Sequence, residues 1–179
     1  RRLHLLSEGM NDFLELDYTR FDGTIPAFVL HLVRNFRAES MILSKDDRKL
    51  LDWYNRNLIE KFIVLPSNDI IYVTKGNPSG QISTSTDNCM VNTYLTAYET
   101  AGYVKRVTGK TPTLKQLNTM YKNICYGDDR LTSYRTGLHQ VQNEVHHITF
   151  PPTADYITSM YKDHFGMWVK PENIKTSKT

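Results

Sequence analysis

The stretch YKNICYGDDRLTSY, residues 121–134, constrains the fold more than any other part of the chain. It reads as a strand from Tyr121 to Tyr126, a turn at Gly127-Asp128-Asp129 and a return strand from Leu131 to Tyr134. So short a connection forces antiparallel pairing, because parallel strands need a crossover of about a dozen residues or more. The turn also poses a chemical problem. Adjacent carboxylates repel each other and gain little from burial, yet Asp128 and Asp129 stand together at the tip.

The rest of the chain alternates strand and helix signals. Residues 12–18, DFLELDY, place Leu14, Leu16 and Tyr18 on one face and Phe13, Glu15 and Asp17 on the other, the pattern of a half-buried strand ending in an acid. Gly23 and Pro26 break it, and the apolar spacing predicts a helix over 26–36. A second helix follows Asp46-Asp47, with an apolar stripe of Leu50, Leu51, Tyr54, Leu58 and Phe62 that also takes in Trp53. Residues 70–73 are β-rich, and residues 75–80, KGNPSG, form a dense loop signal. A long helix is predicted from Ser83 to Arg106, closed by Thr108-Gly109, and a short turn at 113–117. After Pro151-Pro152 comes a helix over 154–165 capped by Gly166, and Met167-Trp168-Val169 reads as a last strand anchored by Trp168. These elements predict an α+β fold: a mainly antiparallel sheet with helices packed on one face.

Bulk properties narrow the class. At 179 residues, 40% hydrophobic and 23% charged, the chain can bury a useful core as one domain or as part of a larger one. The net charge of +3 permits a nucleic-acid partner without demanding one. Cys89 and Cys125 are the two cysteines and have no metal-site spacing, so they read as small packing residues in a reducing compartment. The adjacent pair His146-His147 lacks a third ligand and reads as structural. No signal peptide or transmembrane segment is visible. A start at Arg1-Arg2 instead of Met suggests an excerpt.

Three carboxylates thus fall at strand ends: Asp17, Asp128 and Asp129. Mg2+ prefers hard oxygen ligands and commonly takes one or two protein carboxylates beside substrate phosphates. Two such ions about 3.5–4 Å apart can clamp the attacking and leaving oxygens of a phosphoryl transfer. Bound cations would relieve the repulsion between the adjacent acids. A glycine-turn acid pair is equally the chemistry of an ordinary hairpin. Beyond the 75–80 loop, Thr84 and Asn88 are four apart and share a helix face, a polar surface suited to a sugar or to solvent.

Together these segments resemble the palm of a viral RNA-dependent RNA polymerase of the positive-strand RNA viruses. LDYTRFD (16–22) looks like motif A, GNPSGQISTSTDN (76–88) like motif B, YGDD (126–129) like motif C and FGMWVKPENIK (165–175) like motif D. The wording ELDYTRFDGTIP, GNPSGQ and YGDDRL is similar to astrovirus polymerases. The resemblance implies that Asp17, Asp128 and Asp129 form the metal set, two Mg2+ ions with Mn2+ able to substitute. It implies that Asp22 and Asn88 sense the ribose 2′-hydroxyl, with Thr84 supporting them and Ser79 and Gly80 in a mobile loop. Lys175 matches the general acid for pyrophosphate, with Lys170 second; the spacing after Pro171 departs from the picornavirus-like pattern by one extra residue. The implied partners are an RNA template and primer, ribonucleoside triphosphates and other viral replication proteins. The implied location is the host cell cytoplasm, at membrane-associated replication complexes.

Two other readings compete. A reverse transcriptase also uses a Tyr-x-Asp-Asp turn, but Asp22, Ser79, Thr84 and Asn88 suit ribonucleotides. A non-catalytic palm-like RNA-binding module would be expected to have lost an acid. The same resemblance implies that residues 1–179 are the palm with part of a fingers insert around 40–75, the remaining fingers and the thumb lying elsewhere. The 179 residues alone are therefore expected to carry the catalytic centre yet be inactive. Processive RNA synthesis by the isolated chain would refute that expectation.

Overall fold

The computed structural model describes residues 6–178. Its centre is strand β1 (Asp12–Leu16), which buries Leu14 and Leu16 and leaves Glu15 exposed, as its alternation requires. The predicted hairpin is present as β4 (Tyr121–Tyr126) and β5 (Asp129–Tyr134), with Gly127 at φ 63° in the turn. Gly127 has the left-handed backbone that a tight reversal needs and that a side chain resists. β5 pairs antiparallel with both β4 and β1, placing Leu16 opposite Arg130 and Leu14 opposite Thr132.

The fourth strand of this sheet lies later than expected. Residues 167–169 contribute only a bridge between Thr19 and Trp168; the strand is β8 (Ile174–Lys178), antiparallel to the free edge of β1, giving the order β4-β5-β1-β8. Met167 and Val169 are buried and Trp168 is 64% exposed, so Trp168 does not anchor a strand. The edge strand IKTSK escaped the pattern because its pairing is through the main chain, with almost no apolar alternation.

Helices cover one face of the sheet. α1 (Phe21–Thr24) leads into α2 (Ala27–Glu39), which buries Val29, Leu30 and Val33 and runs past the predicted end at Phe36. α4 (Thr84–Thr108) packs against β4 and α2 and stops at Gly109, whose φ of 74° ends the helix. α5 (Leu114–Leu117) starts with a capping box between Thr113 and Gln116. α6 (Ala154–Phe165) is N-capped by Thr153, stops at Gly166 and packs on α4. Leu14, Leu16, Val91, Leu95, Ile157 and Tyr161 meet in one core.

α3 (Lys45–Ile59) is capped by Ser44, whose Oγ accepts the Asp47 N–H at 3.2 Å, with Asp46 and Asp47 in the first turn. Its apolar stripe is cut short. Phe62 belongs to β2 (Lys61–Val64), which pairs with β3 (Ile70–Val73), and its ring lies 5.0 Å from that of Tyr72. Leu50 and Trp53 are each 63% exposed and Phe62 is 75% exposed. A third hairpin, β6 (Gly137–Val141) and β7 (Glu144–Ile148), lies outside the predicted elements. His146 sits on β7 with Nε2 3.4 Å from Glu144.

Between sheet and helices lies a charged core. Arg130 on β5 and Glu99 on α4 are both fully buried and make a two-pronged ion pair, with Nη1–Oε2 and Nη2–Oε1 both 3.0 Å. Tyr134 donates to Glu99 at 3.2 Å, and Arg130 donates to Thr96 and Tyr161, each at 3.2 Å. Removing one partner of such a pair costs about 3–5 kcal/mol, whereas apolar replacement of both is far milder. Glu99→Leu should therefore lower Tm sharply, and Glu99→Leu with Arg130→Met should recover part of the loss. Calorimetry or thermal-shift melting checks this; a double variant at least as unstable as the single one would contradict it.

Candidate active site

The open face of the sheet presents a row of Ile124, Leu131, Glu15 and Lys175, one from each strand. The next positions along the strands are the acids. Asp17 directly follows β1, and its N–H donates to Asn173 O at 3.2 Å. Asp129 opens β5 opposite Tyr126, and Asp128 occupies the turn before it. Asp17 and Asp129 line one cleft of about 350 Å3 together with Glu15, Ile124 and Tyr126. Among the described residues, no protein donor hydrogen-bonds or ion-pairs with the carboxylates of Asp17, Asp128 or Asp129.

A second cluster is tightly bonded. Asp22 on α1 accepts from Asn88 Nδ2 at 2.5 Å through Oδ1 and from Ser79 Oγ at 2.6 Å through Oδ2. Asn77 donates from Nδ2 to Asn88 Oδ1 at 2.9 Å and from its backbone N–H to Asp22 O at 2.7 Å. Thr84 points back to its own loop, donating to Pro78 O at 2.6 Å. The structure thus joins Asp22, Ser79 and Asn88 directly, while Thr84 buttresses the loop that carries Ser79. An added Cβ at Gly80 would meet nothing, so its backbone is not sterically obliged to be glycine.

Lys175 adjoins the acid cleft through Glu15, which lines it together with Asp17 and Asp129. It is the cross-strand neighbour of Glu15, with Nζ 3.7 Å from Oε1, and Lys170 lies 3.9 Å from Glu172.

A family model described as viral RNA-dependent RNA polymerase matches residues 1–179. The non-structural polyprotein 1AB of Turkey astrovirus 2 is 42% identical over 182 residues, covering 100% of this chain and 10% of that polyprotein. The corresponding polyprotein of Human astrovirus-1 is 35% identical over 178 residues, covering 95% of this chain and 11% of the polyprotein. The chain belongs to the viral RNA-dependent RNA polymerase family. It spans about a tenth of the length of these relatives. The crystal structure of the RNA-dependent RNA polymerase of a human picorbirnavirus has a TM-score of 0.64 at 16% identity, covering 99% of this chain and 29% of that one. The Sicinivirus RNA-dependent RNA polymerase has a TM-score of 0.57 at 20% identity, covering 98% and 30%. Both show the palm-like fold.

For a polymerase of this family the acids must be able to take divalent metal. Among the described residues no group of three or more His, Cys, Asp or Glu side chains is placed to hold a metal ion, so Asp17, Asp128 and Asp129 are not gathered into one three-carboxylate site. Two unpaired carboxylates on an open cleft do match Mg2+, which keeps several waters and completes its shell with substrate phosphates. The donor set therefore fits the ion.

Sequence reasoning missed three supports of this site. Asp87, fully buried beside Asn88, ion-pairs with both Arg34 and Arg37 of α2 and accepts from Gln81 at 2.9 Å. The spacing of Arg34 and Arg37, three apart on one helix face, was the available signal. Cys89 Sγ accepts the Gly127 N–H at 3.3 Å, so this thiol braces the acid turn. Burial pushes the neighbouring Cys125 thiol up. Gly76 has φ 80°, and a Cβ there would stand 3.0 Å from Asp22 O. Gly76→Ala should cost about 1–2 kcal/mol from the backbone alone and push Asp22 away from Asn88. A melting curve together with a crystal structure of the variant checks both effects.

Proposed function

We propose that this chain is the catalytic palm of an RNA-directed RNA polymerase that adds ribonucleotides to an RNA 3′-end during viral genome replication and transcription. The observation that carries the reading is the junction of two sites on one surface. Asp17 and Asp129 line one cleft, with Asp128 in the turn beside Asp129, and Asp22, Ser79 and Asn88 form a hydrogen-bonded polar cluster between α1, the 75–80 loop and α4.

Asp17, Asp128 and Asp129 would hold two Mg2+ or Mn2+ ions, which when bound activate the attacking 3′-hydroxyl and stabilise the charge on the departing pyrophosphate. Asp22 supplies acceptors and Asn88 a donor for the 2′-hydroxyl, which is both donor and acceptor and so marks RNA against DNA. Ser79 moves with its loop as the sugar arrives. Lys175 Nζ is the candidate proton donor to pyrophosphate, and it must leave Glu15 to act. Residues 40–75, with α3 and the β2–β3 hairpin, are assigned to the fingers. Partners are an RNA template and primer, ribonucleoside triphosphates and other viral replication proteins, in the host cytoplasm at membrane-associated complexes. Among the described residues no helix is long and apolar enough to cross a membrane.

The test is template-directed incorporation of labelled ribonucleotides with Mg2+ by the full parent polymerase and its Asp128→Asn form. Asp128→Asn should lose at least about 10^3-fold in rate, roughly 4 kcal/mol of barrier. Equal rates would refute the metal assignment. In the same assay with deoxyribonucleotide competitors, Asn88→Ala should lower the preference for ribose about 10–100-fold, the worth of a hydrogen bond to a charged network. An unchanged preference would remove Asn88 from ribose recognition, and a preference for deoxyribose in the parent would favour a reverse transcriptase.

A further inference from the structure

Asn92 lies on α4, one helical turn beyond Asn88, and is fully buried. Its Nδ2 donates to the backbone carbonyl of Asp128 at 3.0 Å, with Gly127 O at 3.5 Å. Its Oδ1 accepts from Tyr18 OH at 3.1 Å. Tyr18 is the residue after Asp17. A single amide therefore grips the backbone of one acid and the neighbour of another.

The hydrogen bonds along this path have a fixed direction. Arg130 can only donate, and it donates to Tyr161 OH at 3.2 Å and to Tyr18 OH at 3.5 Å. Tyr18 gives its one hydrogen to Asn92, so the 2.9 Å contact between Tyr18 and Tyr161 must run from Tyr161 to Tyr18. Burial pushes both phenols well up, which keeps those hydrogens in place. The chain of donors thus starts at a buried guanidinium, passes through two phenols and the Asn92 amide, and ends on the carbonyl of Asp128. Arg130 itself stands two residues after Asp128, so the path closes into a ring through the acid turn.

We propose that Asn92 is a positioning residue that sets the placement of the Asp128-Asp129 turn relative to Asp17, and with it the affinity of these acids for divalent cation. This rests on the metal site proposed above. Carboxylate placement must hold to within about 0.5 Å for such a site to work. Asn92 does so from beneath the sheet without touching the ion. Asn88, one turn earlier on the same helix, serves the ribose-sensing acid, so α4 carries one amide for each half of the site.

The test measures Mn2+ binding by electron paramagnetic resonance in the full parent polymerase, without RNA or nucleotide. Wild type should bind Mn2+ and Asp128→Asn should lose it. Asn92→Ala should weaken binding about 10–100-fold, the usual effect of losing a group that orients a metal ligand. Tyr18→Phe removes one oxygen and keeps the ring, so it tests the same path even where Asn92→Ala fails to fold; it should weaken Mn2+ about tenfold. The preference for ribonucleotides over deoxyribonucleotides should stay unchanged in both variants, since Asn88 is untouched. Wild-type Mn2+ affinity in Tyr18→Phe and in folded Asn92→Ala, with Asp128→Asn still metal-free, would overturn the role of Asn92 alone. Mn2+ binding retained by Asp128→Asn would overturn the metal site itself and this inference with it.

Discussion

The Arg130–Glu99 ion pair is the constraint around which the rest of the palm is arranged. Two charges out of reach of water cost several kcal/mol each unless their partners are placed well. Here the partners come from everywhere. Tyr18 follows β1, Thr96 lies on α4, Tyr134 on β5 and Tyr161 on α6. Tyr156 adds a bond to the Glu99 carbonyl at 3.2 Å. Satisfying one ion pair therefore fixes how the two central strands sit on α4 and α6. The acids on the far side of the sheet inherit that registration.

A second buried charge cluster does the same for the Asp22 side. Asp87 draws Arg34 and Arg37 onto α4, and Arg34 continues to Asn55 of α3 at 2.6 Å. α2 begins just after Asp22, so this clamp also limits where Asp22 can move. Both clusters hang on α4, which explains why a helix so rich in Thr, carrying Asn88, Asn92 and Glu99, is nonetheless central and buried.

What was readable in the sequence follows from how each element is held. β1, the β4–β5 hairpin, α4 and α6 announced themselves because their stability comes from apolar faces and turn residues, which leave periodic marks. β8 left none, since an edge strand pairs by backbone. β2 was absorbed into the helical stripe because Phe62 happens to extend the α3 spacing, although the β-branched Ile63 and Val64 before Pro66 marked a strand. The motif resemblance placed Asp22, Ser79 and Asn88 together, as the hydrogen bonds do. It said nothing of Asn92, Asp87 or Cys89. Those residues act through contacts across 35 or more positions of chain, a relation that no local pattern encodes.

The bonding of Asp22 has one more consequence. Both carboxylate oxygens are already engaged, by Asn88 and by Ser79. Each oxygen takes one protein side-chain hydrogen bond and keeps a second lone-pair site, so the acid is held in place yet still able to accept. Under the proposed function, a 2′-hydroxyl can fill such a site without displacing either protein donor, whereas a deoxyribose leaves it empty. Selectivity is then a matter of a preset acceptor that one sugar can use and the other cannot, and the acid need not be rebuilt as each nucleotide moves on.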